Sequence, residues 1–123
     1  MNKVSFGKNR QSIAEAVSTL TMMALAMGSD VAEGGTLGLQ VGDAQVLLCR
    51  VGGVVHAVNG VCPHRGAFLA QGTLEGSEIV CPWHAWRFDV TTGDGVTNEM
   101  SRLQVLPARE SDGRVMVDLP DIG

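Results

Sequence analysis

No run of lysine or arginine stands out anywhere in this sequence, and its formal net charge is −4 with a pI near 5.2. Nucleic acid and anionic membrane surfaces are therefore poor partners, while a basic protein surface remains open. Cysteine is scarce and odd in number: Cys49, Cys62 and Cys81 do not make the even set of a disulfide framework. Tyrosine is absent, and aromatic residues amount to only 4%. No apolar stretch approaches the roughly 20 residues needed to cross a bilayer. Neither a P-loop nor a G-x-G-x-x-G turn occurs, which argues against accepting hydride from a nicotinamide. Internal repeats and low-complexity tracts are missing as well.

What is present suits one all-β domain. The 123 residues are 45% apolar and include 16 glycines, a pattern of short strands and tight turns with room for one modest core. Apolar runs broken by Gly and Asp predict strands over residues 22–27, 36–41, 45–51, 54–59, 73–74, 78–81, 87–89, 103–109 and 114–119. Val51-Gly52-Gly53-Val54 and Asp112-Gly113 are the expected hairpin turns. Strands this short and closely spaced imply an antiparallel sandwich or barrel.

The first 21 residues are expected to form a separate extension, with residues 22–123 as the domain proper. Ile13, Ala14, Ala16, Val17 and Leu20 recur at near-helical spacing, and Ser12 with Glu15 suits a capping box, so a short helix is predicted there. Lys3, Lys8 and Arg10 ahead of an apolar stretch over residues 16–27 loosely resemble a secretory signal. Glu15 interrupts its start, and no paired arginines mark export of a folded, cofactor-loaded protein. The expected location is cytoplasmic.

Two segments, 60–72 and 82–86, do not read as strands, and each begins beside a cysteine and carries a histidine. The first contains Cys62-Pro63-His64-Arg65-Gly66 and the second Cys81-Pro82-Trp83-His84-Ala85-Trp86. The chain thus carries C-x-H, then sixteen residues, then C-x-x-H. Each loop offers one soft thiolate and one imidazole, so two facing loops make a four-donor S2N2 site. Tetrahedral zinc also takes such a set, although zinc modules more often pair C-x2-C with H-x3-5-H. A nucleophilic Cys–His pair is the other alternative, but neither pair has a third orienting group. Cys49, inside Val46-Leu47-Leu48-Cys49, reads as a packing residue. His56 alternates with Val55 and Ala57 and reads as an ordinary half-exposed strand histidine.

The pattern resembles the Rieske iron–sulfur family, most closely its soluble ferredoxins and the N-terminal domains of ring-hydroxylating oxygenases. The resemblance covers residues 22–119 and is strongest over 62–93, including Phe88-Asp89-Val90-Thr91-Thr92-Gly93. It implies a [2Fe-2S] cluster with Cys62 and Cys81 on one iron and His64 and His84 on the other, nearer the surface. Mixed ligation of this kind raises the reduction potential over that of an all-cysteine cluster, because neutral imidazoles replace two thiolates. Pro63 and Pro82 would stiffen the loops by fixing φ.

Departures within the family also matter. The Rieske subunits of quinol-oxidising membrane complexes carry a disulfide between the two loops. Those positions match Ala67 and Trp83, so it cannot form here. Their Ser and Tyr hydroxyls beyond the second histidine match Trp86 and Phe88.

Rieske oxygenases need a second iron on two histidines and a carboxylate. This chain has three histidines in all; if two hold the cluster, only His56 is left. The implied function is therefore that of a one-electron carrier, itself not an enzyme. Its expected partners are a flavin-containing reductase upstream and a terminal oxygenase or other redox enzyme downstream. The alternative is a redox-sensing or structural subunit, with cluster or zinc in the same site; a small homo-oligomer is compatible with either. The expected docking face is the loop tip around His64, Arg65, His84 and Ala85. Trp83 and Trp86 are expected to pack beneath the loops rather than face a partner.

Overall fold

In a computed structural model of the chain, residues 22–64 and 66–119 are described. The expected extension over residues 1–21, with its helix, lies outside them. So does Arg65.

Among the described residues, ten strands form three antiparallel sheets. β1 (Met22–Met27), β10 (Arg114–Asp118) and β9 (Ala108–Ser111) make the first, in the order β1-β10-β9. β2 (Thr36–Val41), β3 (Ala44–Val51), β4 (Val54–Asn59) and β8 (Val105–Leu106) make the second, in that order. β5 (Thr73–Glu75), β6 (Glu78–Val80) and β7 (Arg87–Asp89) make the third. Short 3-10 turns occupy Gly28–Asp30 and Leu69–Gln71.

β3 explains how one chain builds two cores. Its run Val46-Leu47-Leu48-Cys49 is buried throughout, so it is not a one-sided strand. Successive side chains of a strand point to opposite faces. Val46 and Leu48 accordingly join Val31, Val55, Ala57, Leu106, Val115 and Val117 between the first two sheets. Leu47 and Cys49 face the other way and join Val58, Leu69, Ile79, Phe88, Val90 and Leu103 beneath the third sheet and its loops. The β3–β4 register keeps the sides matched, with Leu48 opposite Ala57 and Leu47 opposite Val58.

The strand expected over residues 103–109 is in fact two. β8 pairs with β4, through Leu106 opposite Ala57, whereas β9 pairs with β10, through Ala108 opposite Val117. Pro107 lies between them and has no N–H to give to a ladder. Its carbonyl accepts from Asp118 N at 2.9 Å. The proline therefore lets the chain leave one sheet and enter the next. Both expected hairpins do form: Gly52 and Gly53 have φ of 58° and 83°, and Asp112 and Gly113 have 53° and 78°. Two successive left-handed residues are what a tight hairpin turn requires.

Arg50 locks the end of the β3–β4 hairpin to β9 and to the 28–30 turn. Its guanidinium donates to Val31 O at 2.7 Å, Gly28 O at 2.9 Å and Gly53 O at 2.9 Å, and it pairs both Glu110 oxygens at 2.9 Å. Hydrogen bonding and charge from Arg50 hold the Glu110 carboxyl below its ordinary 4.5. A carboxyl depressed on folding stabilises the fold above its unfolded pKa, and the benefit is lost as pH falls through the folded value. Glu110→Gln should therefore lower the melting temperature near neutral pH, and the gap to the parent protein should close as pH drops below about 4. Thermal melts at a series of pH values test this; a gap that stays constant down to acid would contradict it.

Candidate metal centre

Two loops at the free end of β4 and between β6 and β7 carry the four donors. The first is closed at its neck. Val61 pairs with Phe68, Cys62 N donates to Ala67 O at 2.8 Å, and Gly66 N donates to Cys62 O at 2.8 Å. Leu69 N donates to Gly60 O at 2.9 Å, which ties the loop's exit to its entry. The second loop is closed by Cys81 N donating to Trp86 O at 2.7 Å. Inside it His84 and Ala85 have φ of 68° and 58°. Two consecutive left-handed residues other than glycine cost about 1–3 kcal/mol each. Such strain persists only where the surroundings over-determine it.

The donors stand as an inner pair and an outer pair. Cys62 and Cys81 are each 1% exposed and belong to the core that also holds Leu47, Phe88 and Leu69. Their thiols touch; no disulfide joins them. His64 is half-buried, with its Nδ1 buried, and His84 is exposed. The two imidazole centroids are 5.7 Å apart, edge to face at 67°. Among the described residues no three His, Cys, Asp or Glu side chains close about a single point. Two pairs from the same two loops, a buried sulfur pair and a more exposed nitrogen pair, suit a binuclear group gripped at both ends. The donor chemistry thus fits the iron–sulfur group that the resemblance implied.

Burial pushes the Cys81 thiol up, and the adjoining Cys62 adds to this, while a hydrogen bond from the Trp83 backbone N–H to the sulfur acts the other way. That N–H would remain as a donor to a thiolate, and such outer contacts tune a bound metal group. Cys49 is also buried, and burial alone pushes its thiol up to about 12. It is an inert packing residue, as expected. His56 is half-buried on β4, opposite Cys49.

The two tryptophans part company. Trp86 packs on the core beneath the loops and stacks on His64, with centroids 3.8 Å apart and planes within 7°. Trp83 is 52% exposed and turns outward, contrary to the expectation that both would pack. The reason is the left-handed turn at His84-Ala85, which reverses the chain between them. Ala67 is buried in the first loop where the other subfamily has cysteine, and Phe88 is fully buried in β7. The Trp86–His64 stack had no signal in the sequence, because it joins residues of different loops.

A model of the Rieske [2Fe-2S] domain matches residues 21–107. The chain is 38% identical over 92 residues to the ferredoxin component of the naphthalene 1,2-dioxygenase system of Pseudomonas putida, covering 74% of this chain and 88% of that one. In structure it is similar to the ferredoxin of carbazole 1,9a-dioxygenase from Nocardioides aromaticivorans IC177, with a TM-score of 0.75 and 26% identity over 81% of this chain and 99% of that one. It is also similar to a chain in the complex of reduced oxygenase and oxidized ferredoxin in carbazole 1,9a-dioxygenase, with a TM-score of 0.73 and 31% identity over 80% and 93% of the two chains.

Proposed function

The chain belongs to the Rieske [2Fe-2S] domain family, and from that premise we propose that Cys62 and Cys81 hold one iron of its cluster and His64 and His84 the other. The observation that carries this assignment is that the same two loops supply a buried, touching thiol pair and a more exposed, neighbouring imidazole pair. When bound, the cluster supplies a one-electron couple. The protein's part is to bind it, to keep water from its sulfur side and to leave its histidine side accessible.

The chain is an electron carrier and not an enzyme: it is a ferredoxin component that takes electrons from a reductase and passes them to a terminal oxygenase. Exposed His84 and Ala85, with exposed Pro82 and Trp83 beside them in the same loop, supply the docking tip. An exposed aromatic beside the donor suits a partner contact, since aromatics are enriched at interfaces. Contacts of this kind should be small and transient, at or below about 1,200 Å2.

The same reading takes residues 22–123 as the cluster domain and 1–21 as an extension. Its support is β1, which pairs with β10 from Met22 onward. Among the described residues no helix is long and apolar enough to cross a membrane. The compartment we propose is the cytoplasm, in keeping with three free cysteines.

The test of the carrier role is electron delivery. The dithionite-reduced protein, freed of excess reductant and mixed with oxidised cytochrome c, should reduce one equivalent per chain. A protein that is reduced and reoxidised by oxygen but passes nothing to added acceptors would be a sensor or structural subunit instead.

A further inference from the structure

We propose that Trp86 is the positioning residue for His64, fixing the plane in which that imidazole presents its donor nitrogen. The inference rests on the reading of His64 as a cluster ligand and adds to it a residue that binds nothing itself.

A histidine's χ2 is a broad, roughly two-fold torsion, so backbone position alone does not define its ring plane. The hydrogen bonds that close the first loop run through the backbone of Cys62, Gly66 and Ala67. They place the His64 Cα, and the ring is flanked by two others, edge-on to His84 at 5.7 Å and stacked on Trp86. The nearer and face-on contact is Trp86, 3.8 Å away and within 7° of parallel. Ring pairs this close contribute beyond the area they bury, and their geometry is specific.

Trp86 can act as a reference because it is itself pinned. Its carbonyl accepts from Cys81 N at 2.7 Å, and the next residue, Arg87, donates its backbone N–H to Thr97 Oγ1 at 2.9 Å. Its ring packs on the core that contains both ligand cysteines. The left-handed pair His84-Ala85 reverses the second loop so that His84 points to solvent while Trp86 returns beneath His64. One strained turn thus places a ligand of its own loop and clamps the ligand of the other. The two imidazoles are held unequally: His84 is exposed, and His64 has one face covered. A carrier benefits from such a clamp, because a ligand ring that does not swing keeps the rearrangement per electron small.

The test uses the reduced, cluster-loaded full chain and its nitrogen couplings by pulsed EPR. The parent protein should give one sharp set of couplings for each of two imidazoles. Trp86→Leu should retain iron but release His64, raising the share of a second ring orientation about fivefold, the scale of one lost aromatic pair. One of the two nitrogen sets should then split or broaden while the other is unchanged. Trp86→Phe, which keeps a stacking ring, should restore the single set. Unchanged couplings in Trp86→Leu, or equal disturbance by Leu and Phe, would overturn the proposal. If Trp86→Leu fails to fold, Trp86→Met carries the same comparison, and two orientations of His64 in the parent protein would refute it without any variant. A parent protein without two imidazole nitrogens on its cluster would instead overturn the ligand assignment on which the proposal rests.

Discussion

Changing Cys81 to alanine should abolish the cluster, while changing Cys49 to alanine should leave it in place. All three cysteines are buried in the same core, so burial does not distinguish them. Position does. Cys81 touches Cys62 and lies two residues from the outward turn at Trp83, which donates its N–H to the sulfur. Cys49 sits in mid-strand, opposite His56, and burial pushes its thiol up to about 12. Cys49 lies on β3, outside both loops that carry His64 and His84.

The Cys81→Ala chain should therefore lose the visible chromophore and fall well below the two irons of a [2Fe-2S] centre. Cys49→Ala should keep both, at the modest stability cost of a small core cavity. Absorption spectra and iron analysis of the two purified variants decide it. Iron retained by Cys81→Ala and lost by Cys49→Ala would reverse the assignment.

The reduction potential should lie near the low end of the Rieske range, at about −150 mV. Two neutral imidazoles in place of thiolates keep it above all-cysteine centres, because the added electron meets less negative charge. What would raise it further is hydrogen bonding to the cluster and its sulfurs. The positions that carry Ser and Tyr in the quinol-oxidising subfamily are Trp86 and Phe88, neither with a hydroxyl. Trp86 is stacked on His64 and Phe88 is fully buried. The backbone N–H of Trp83 on the Cys81 sulfur is one donor of that kind that the second loop does supply.

Without the two hydroxyls the upward pull is smaller, so a value above about +100 mV would contradict this account. His84→Cys moves the balance the other way. His84 is exposed, so the exchange disturbs little packing, and it adds one negative charge at the centre. Protein-film voltammetry of that variant should give a potential below the parent's, provided its absorption shows a cluster; a rise would contradict the charge argument.

Much of this was legible in the residues. The C-x-H and C-x-x-H spacings pointed to the donor set, and Gly52-Gly53 and Asp112-Gly113 fixed two hairpins through their left-handed φ. Alternation within β3 was less legible. A continuous apolar run conceals that Leu47 and Leu48 serve different cores, because the sequence does not say which sheets flank the strand. The split at Pro107 could have been read, since proline interrupts a ladder. The outward Trp83 and the inward Trp86 could not. Their separation depends on two left-handed residues, His84 and Ala85, neither of which advertises that conformation. The Arg50–Glu110 pair was equally hidden, as it spans sixty residues and depends on the sheets already being packed.

The central claim, a mixed-ligand cluster on Cys62, His64, Cys81 and His84, is tested most directly by absorption and low-temperature EPR of the anaerobically purified chain, before and after dithionite. A red-brown protein with equal iron and sulfide, silent when oxidised and giving a rhombic signal with mean g below the free-electron value when reduced, is the predicted result. A colourless protein holding one zinc per chain would contradict it and would leave the same four residues as a structural site.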